Sequence, residues 1–377
     1  SSGSHAYSQY GIPALLQLLS ITGMWGITFL ITWCAAILNE LWEHRFDWRS
    51  QRGRLGPFAG VLAVVLLFGG LRLHFAPPAS QSVKVATITV DSKTVQDAAK
   101  LIDWANFNRS TDAERAALRP KLAATVDQML ARSQTALRSG VKVVAWQESS
   151  AWVLEEDKPA VLGQAATLAT RYDAYLQISL EVLTRAPSLP YLRDQSILID
   201  PTGRILWTYD KTHPVPYDEA FVTISGPGKL PLVDTPFGRW STAICYDTYY
   251  PALIRQAGKN KVDILFAPTN DVHPYAASAI AMADYRAIEN GFAMIRPTGN
   301  GLSAAIDPLG RVLASQDYFT NSSGIMLASL PTHGVTTLYS RIGDAFAYLC
   351  VIGLILLAGQ ALLRRQQPAV VAQHQPA

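Results

Sequence analysis

The sequence predicts an α/β domain built on a mixed sheet and flanked by transmembrane helices. Three observations lead there. Uncharged apolar runs lie towards both ends of the chain. Between them, strand-length and helix-length apolar patterns alternate, as they do where helices cover a sheet. Two turn signatures, Pro201-Thr202-Gly203 and Asp307-Pro308-Leu309-Gly310, each separate two short strand patterns and require antiparallel hairpins within that sheet.

The elements follow in chain order. Residues 12–38 carry no charge, and 345–363 carry Gln360 as their one strongly polar side chain. Each exceeds or nearly matches the about 20 residues that a bilayer core requires. Residues 58–71 form a shorter run, with flanks that extend it over 56–75; a buried or interfacial helix is the alternative to a span there. Spanning is favoured because the topology then closes. Arg45, Arg49, Arg52 and Arg54 lie between the first two runs, and Arg364 and Arg365 follow the third. Basic loops stay cytoplasmic, which leaves the long intervening segment on the other side. The expected organisation is a membrane region over 1–75 with helices over about 12–38 and 56–75, an extracytoplasmic domain over 76–344, and a C-terminal span and cytoplasmic tail over 345–377. The first run lacks a basic leader and is too long for a signal peptide. Ser1 in place of Met, and an outside N-terminus that leads into a span, give the expectation of an N-terminally truncated chain; a cloning scar at Ser1-Ser2-Gly3-Ser4-His5 is the alternative.

Ala76-Pro77-Pro78-Ala79-Ser80-Gln81-Ser82 reads as a linker. Beyond it come a strand over 84–90, a helix over 113–139 with Leu118, Leu122, Val126, Leu130 and Leu137 on one side, and a buried strand over 141–146. A helix over 159–171 and a strand over 174–183 precede the hairpin strands 196–200 and 205–209. The remainder reads as strand 238–245, helix 251–258, strand 262–267, helix 276–290 and short strands over 293–296, 303–306 and 312–314.

Composition excludes several classes. With 49% hydrophobic and 16% charged residues the chain is neither disordered nor a typical soluble domain. A formal charge of +3 with no polybasic block argues against nucleic acid as a partner. Three cysteines in 377 residues exclude a disulfide scaffold.

Cys34 and Cys350 fall in expected spans and read as inert small hydrophobes. Cys245 stands alone in the outer domain. It is either a buried core cysteine at a strand end, or a nucleophile exposed by a strand-to-helix turn that favours the thiolate. A thiolate needs a base and an oxyanion donor. Glu148, just after an apolar strand, is either a cap or solvated loop residue, or a general base. Lys211 is either a solvated loop lysine or the positive charge beside thiolate and oxyanion. All three stand at C-terminal ends of expected strands, where open α/β sheets place their sites. The histidines have no metal-ligand spacing, and there is no Gly-rich phosphate loop and no Gly-x-Ser-x-Gly elbow, so neither a metal nor a cofactor is expected.

Three strings, Val144-Ala145-Trp146-Gln147-Glu148-Ser149, Tyr209-Asp210-Lys211-Thr212-His213 and Ala243-Ile244-Cys245-Tyr246-Asp247, resemble the carbon-nitrogen hydrolase (nitrilase) superfamily. That superfamily uses a Glu-Lys-Cys triad in this chain order on an αββα sandwich. Arg286-Ala287-Ile288-Glu289-Asn290-Gly291, Asn300-Gly301-Leu302-Ser303-Ala304 and Tyr339-Ser340-Arg341-Ile342-Gly343-Asp344 extend the resemblance, over almost the whole chain, to its apolipoprotein N-acyltransferase branch. The resemblance implies catalytic roles for Glu148, Lys211 and Cys245. It makes Glu219 a residue that orients the lysine or the first glutamate, with a surface loop acid as the alternative, and makes Tyr246 and Asn270 pocket candidates. The implied reaction moves an acyl chain from a membrane phospholipid, via a Cys245 thioester, to the N-terminal amine of a diacylglyceryl-cysteine apolipoprotein, on the periplasmic side of a bacterial inner membrane. A membrane-anchored amidase or nitrilase that gives its acyl group to water, and a non-catalytic fragment, are the rival readings. The chain departs from the branch in four places. It has fewer spans, Gln147 replaces a proline, Asp247 replaces a glutamate, and Thr269-Asn270-Asp271-Val272-His273-Pro274-Tyr275 lacks a tryptophan.

Overall fold

The computed structural model of the chain describes residues 3–76, 81–217, 219–271, 276–320 and 324–365. Part of the expected linker (77–80), Asp218, the 272–275 string and the expected tail beyond residue 365 lie outside the described residues.

The chain enters through helices α1 (Pro13–Leu16), α2 (Leu19–Thr22), α3 (Met24–Glu43) and α4 (Arg52–His74). Strand β1 (Ser82–Ile88) and helices α5 (Ser92–Ala99) and α6 (Asp112–Arg138) lead to β2 (Val143–Trp146) and β3 (Ala151–Leu154). Helix α7 (Lys158–Tyr172) is followed by β4 (Tyr175–Leu183), β5 (Leu192–Ile199), β6 (Ile205–Asp210), β7 (Val233–Thr235) and β8 (Gly238–Thr242). Next come α8 (Pro251–Lys259), β9 (Ile264–Phe266), β10 (Thr269–Asn270), α9 (Ala276–Asn290), β11 (Ala293–Arg296), β12 (Thr298–Gly299), β13 (Leu302–Ile306), β14 (Val312–Asp317) and β15 (Ile325–Pro331). Helices α10 (Leu338–Ile342) and α11 (Ala345–Arg365) end the described chain.

Two mixed sheets form an αββα sandwich. One runs β15-β1-β2-β4-β5-β6 with β3 beside β4, the other β14-β13-β11-β9-β8-β7. Strand alternation sorts the side chains: Val143 and Ala145 enter the core between the sheets with Trp240, Ile264 and Phe266. Val144 and Trp146 face the other way, against Val126 and Met129 of α6 and Val161 and Ala165 of α7. Helix α6 starts on a capping box in which Thr111 and Glu114 satisfy each other's backbone N–H groups. Both expected hairpins form, β5 with β6 and β13 with β14, and Gly203 takes φ +83° in the first turn. The strand expected over 238–245 stops at Thr242, and Cys245 belongs to a tight 3-10 turn instead. Strands β3, β7 and β15 and helix α5 add to the elements legible in the sequence.

Among the described residues three helices, α3, α4 and α11, are long and apolar enough to cross a membrane. Their outward faces carry large exposed apolar side chains such as Val64, Leu67, Leu354 and Ile355, while Trp42 lies at the end of α3 just before the basic connection to α4 and Trp48 lies within it. The chain is a membrane protein. The uncharged run over 12–38 is divided at Gly23, which sits at φ +59°; a Cβ there would run into the Tyr339 ring. The residues before it pack on the sandwich. Leu16 and Leu19, with Met24 and Ile27, bury against Tyr285 and Ile288 of α9. The helix that begins after Gly23 is thereby seated on the domain, and the Met24 N–H donates to Glu289 of α9 at 3.2 Å.

Candidate active site

The site lies where β2, β6 and β8 run out at their C-terminal ends. Glu148 follows β2 by two residues, and the backbone then turns at Ser149 with φ +54°. Lys211 directly follows β6. Cys245 opens the turn after β8 with φ +43°, a conformation that costs a non-glycine residue about 1 kcal/mol or more and lifts its side chain out of the strand direction.

Lys211 is 1% exposed. Its Nζ donates to Glu148 Oε1 at 2.7 Å and to Glu219, and stands 3.4 Å from Asp194 Oδ2. The second Glu148 oxygen accepts the Asn270 N–H at 2.6 Å. Glu219 also accepts the Val215 N–H at 2.7 Å, which holds the loop after Lys211 over the ammonium. Burial alone pulls the Lys211 ammonium down; Glu148, Cys245, Asp194 and Glu219 outweigh it and hold it well above its ordinary value, so the residue is a permanent cation.

Burial pushes the Cys245 thiol well above its ordinary value, the Glu148 carboxylate adds to the rise, and Lys211 opposes it. The resting sulfur is therefore a thiol. This corrects the expectation that a helix N-terminus would favour the thiolate: the turn is short, and burial, with the Glu148 charge added to it, dominates. A thiol with this bias needs a base at the moment of attack.

Glu148, Lys211, Cys245, Glu219 and Asn270 line one cavity of about 550 Å³. Asn270 takes part through its backbone N–H, since its side-chain oxygen accepts from Asn300 Nδ2 at 2.9 Å. Tyr246 is not among the residues lining this cavity and packs on Tyr249 and Tyr250, with ring centroids 4.9 and 5.5 Å away.

Three residues escaped the sequence reading as site components. Asp247, fully buried, accepts from Tyr209 Oη at 2.7 Å, the His213 N–H at 2.8 Å and the Ile244 N–H at 3.2 Å, and so ties the lysine loop to the cysteine turn. Glu181 and Asp194 lie side by side beneath the lysine, on β4 and β5. For Glu181 the signal was in the sequence, a lone acid inside the apolar strand expected over 174–183; Asp194, in the polar run Arg193-Asp194-Gln195 ahead of the strand expected over 196–200, carried none.

An αββα sandwich that holds a carboxylate, a lysine and a cysteine at the open ends of its strands defines a nitrilase-type protein. A profile of the carbon-nitrogen hydrolase family matches residues 112–338, and the chain belongs to that family. Among curated relatives, apolipoprotein N-acyltransferase of Bradyrhizobium diazoefficiens is 26% identical over 392 aligned residues, covering 94% of this chain and 68% of that protein. The enzyme of the same name from Rhodopseudomonas palustris is 27% identical, over 94% of this chain and 67% of its own. That of Geobacter metallireducens is 25% identical, over 96% and 70%. An amidase from Nesterenkonia sp. shares the fold at a TM-score of 0.53 and 17% identity, covering 71% of this chain and 95% of the amidase.

Proposed function

We propose that the protein transfers an acyl chain from a membrane phospholipid, through a thioester on Cys245, to the N-terminal amine of a diacylglyceryl-cysteine apolipoprotein. One observation carries the reading: the lysine that bridges Glu148 and Glu219 shares a cavity with Cys245, in a domain joined directly to helices that can cross a membrane. Lipid is then within reach of a nucleophile that has a base and a fixed cation beside it. The relatives named for this reaction support the same choice of donor and acceptor.

The steps follow from the groups present. Glu148 takes the Cys245 proton as the sulfur attacks the ester carbonyl. Lys211, with a backbone N–H after the cysteine, stabilises the oxyanion. Glu148 returns the proton to the departing lysophospholipid oxygen, and the thioester remains. The acceptor amine then attacks, and its proton passes through Glu148 to the sulfur. Glu219 holds Lys211 in place between the two half-reactions. Incubation with phospholipid alone should build up a hydroxylamine-labile acyl mass on Cys245, and a diacylglyceryl-cysteine peptide should discharge it as an amide. If the acyl group leaves only as free fatty acid, or only small amides are cleaved, the protein is a hydrolase.

The domain boundaries proposed are a membrane region over 1–75, a catalytic domain over 76–344 and a C-terminal span and tail over 345–377. The basic connection between α3 and α4 lies in the cytoplasm, and the catalytic domain faces the periplasm across the inner membrane. In a Cys245→Ala background, Lys121→Cys on the exposed side of α6 should react with a membrane-impermeant maleimide in intact spheroplasts. Arg49→Cys, on the exposed connection between the first two spans, should react only after permeabilisation. The opposite labelling pattern would invert the topology.

A further inference from the structure

Four carboxylates, Glu148, Glu181, Asp194 and Glu219, surround one ammonium. Glu148 is used as the base and Glu219 as the support of Lys211. Glu181 and Asp194 are left without a task. They face each other directly in the β4–β5 register and are 2% and 1% exposed. Ser149 Oγ donates to Glu181 Oε1 at 2.7 Å. Glu181 Oε2 and both Asp194 oxygens have no hydrogen-bond partner among the described residues. Asp194 has only the ion-pair distance to Lys211 noted above. Burial, with the Glu219 charge next in size, pushes Glu181 up to about 8, and burial with the Glu181 charge pushes Asp194 well above its ordinary value.

Buried carboxyl oxygens without donors are costly, and like charges opposed across two strands add to the cost. A sheet that keeps both acids next to a reactive cysteine keeps them for something that enters the cavity. Glu181 lines that cavity together with Cys245. The excess of acids over Lys211 disfavours an anionic group and favours a cation. A primary ammonium offers three N–H donors, enough for the vacant oxygen of Glu181 and its neighbours. An α-amino group, with an ordinary pKa of about 7.7–8.0, arrives at neutral pH largely in that form. It cannot attack a thioester until it gives up a proton.

We propose that Glu181, backed by Asp194, is the binding site for the N-terminal ammonium of the acyl acceptor. The proposal rests on the acyl-transfer reading and assigns its second half-reaction a place. Burial keeps a proton on the empty Glu181, and the entering ammonium displaces it to water. The bound ammonium then passes one proton to the Glu181 carboxylate. The free amine attacks the thioester carbonyl; the C–N bond forms and the C–S bond breaks. The second amine proton moves through Glu148 to the sulfur, which restores the thiol and leaves Glu181 protonated as before. One ammonium and one thioester thus yield one amide, one thiol and one solvent proton.

Two measurements test it. In the full chain carrying Cys245→Ala, which cannot be acylated, a diacylglyceryl-cysteine peptide should bind about tenfold more tightly than its des-amino isostere. Adding Glu181→Gln should close that gap. Equal affinities in the Cys245→Ala protein overturn the proposal, and this arm needs no substitution at 181. In the chain with Cys245 present, Glu181→Gln should slow discharge of acyl-Cys245 by the peptide amine at least about tenfold relative to discharge by hydroxylamine, which is uncharged at neutral pH. A similar slowing with both nucleophiles makes Glu181 a purely structural residue and refutes the assignment. Failure of the chain with Cys245 to load from any phospholipid defeats the acyl-transfer reading instead, while the affinity gap still decides the ammonium site.

Discussion

Replacement of Lys211 by methionine should abolish acylation of Cys245 and cost about 3–5 kcal/mol of stability at neutral pH, the usual consequence of removing one partner from a buried ion pair. Methionine keeps most of the volume, so the loss reads charge rather than packing. Three buried carboxyl groups and the half-buried Glu219 would be left together with no cation. The pH dependence fixes the cause. A carboxyl group whose folded pKa is raised above its unfolded value lends stability that is complete below the unfolded pKa and is lost as pH rises through the folded one. Glu181 is such a group, moving from 4.5 to about 8, and Asp194 and Glu219 move in the same direction. Lys211 is one of the influences holding all three down. Without it they rise further, so the deficit of Lys211→Met against the native chain should be small near pH 5 and large near pH 8. Melting temperatures of the two proteins in the same detergent at both values check this. A deficit that does not change with pH would mean that the lysine stabilises by packing alone.

The cluster also explains which parts of the site were legible in the sequence. Glu148, Lys211 and Cys245 are each ambiguous alone, but each ends an apolar strand, and strand ends can be read from period and length. Cys245 is the instructive case. The strand pattern runs through Ala243 and Ile244, both fully buried, although the ladder stops at Thr242. Burial continues beyond the hydrogen-bonded strand, so hydrophobicity extends the expected element past its true end. Strand β15 escaped because its burial is broken by exposed positions at Leu327 and Ser329, which blurs an already short apolar pattern. Its place beside β1 depends on a pairing from opposite ends of the domain, which no local period reports.

The membrane helices show the same limit. Over residues 12–38 composition gives one uninterrupted span, and nothing in it marks Gly23 as a break. The break is tertiary. Gly23 admits the Tyr339 ring, Glu289 of α9 meets the first N–H of α3, and Trp25 Nε1 donates to Asp344 Oδ1 at 2.8 Å just ahead of α11. Two of the three long apolar helices are thus fastened to the sandwich at the ends nearest to it. Arg286, one turn before Glu289 and fully buried, donates to the Thr248 carbonyl at 3.2 Å, and Thr248 Oγ1 donates to the Cys245 carbonyl at 2.7 Å. The cysteine turn and the start of α3 therefore rest on the same face of α9.

Glu148→Gln is the substitution that isolates the base. The change is isosteric, so the cavity keeps its shape. In the native site one Glu148 oxygen accepts from Lys211 and the other from the Asn270 N–H, which uses both as acceptors. A glutamine can satisfy only one of these donors and must point its amide at the other. The sulfur would lose its proton acceptor while burial still holds the thiol protonated. A positioned general base is worth about 10²–10⁴ in rate. Acyl loading from phospholipid should fall by that factor. Raising the pH should recover part of the loss, since hydroxide then does what the carboxylate did, whereas the native rate should gain much less over the same range. Pre-steady-state measurement of the acyl mass on Cys245 from pH 7 to pH 9 reads both. Loading within a few fold of the native rate would remove Glu148 from the proton's path and leave it as a support for Lys211.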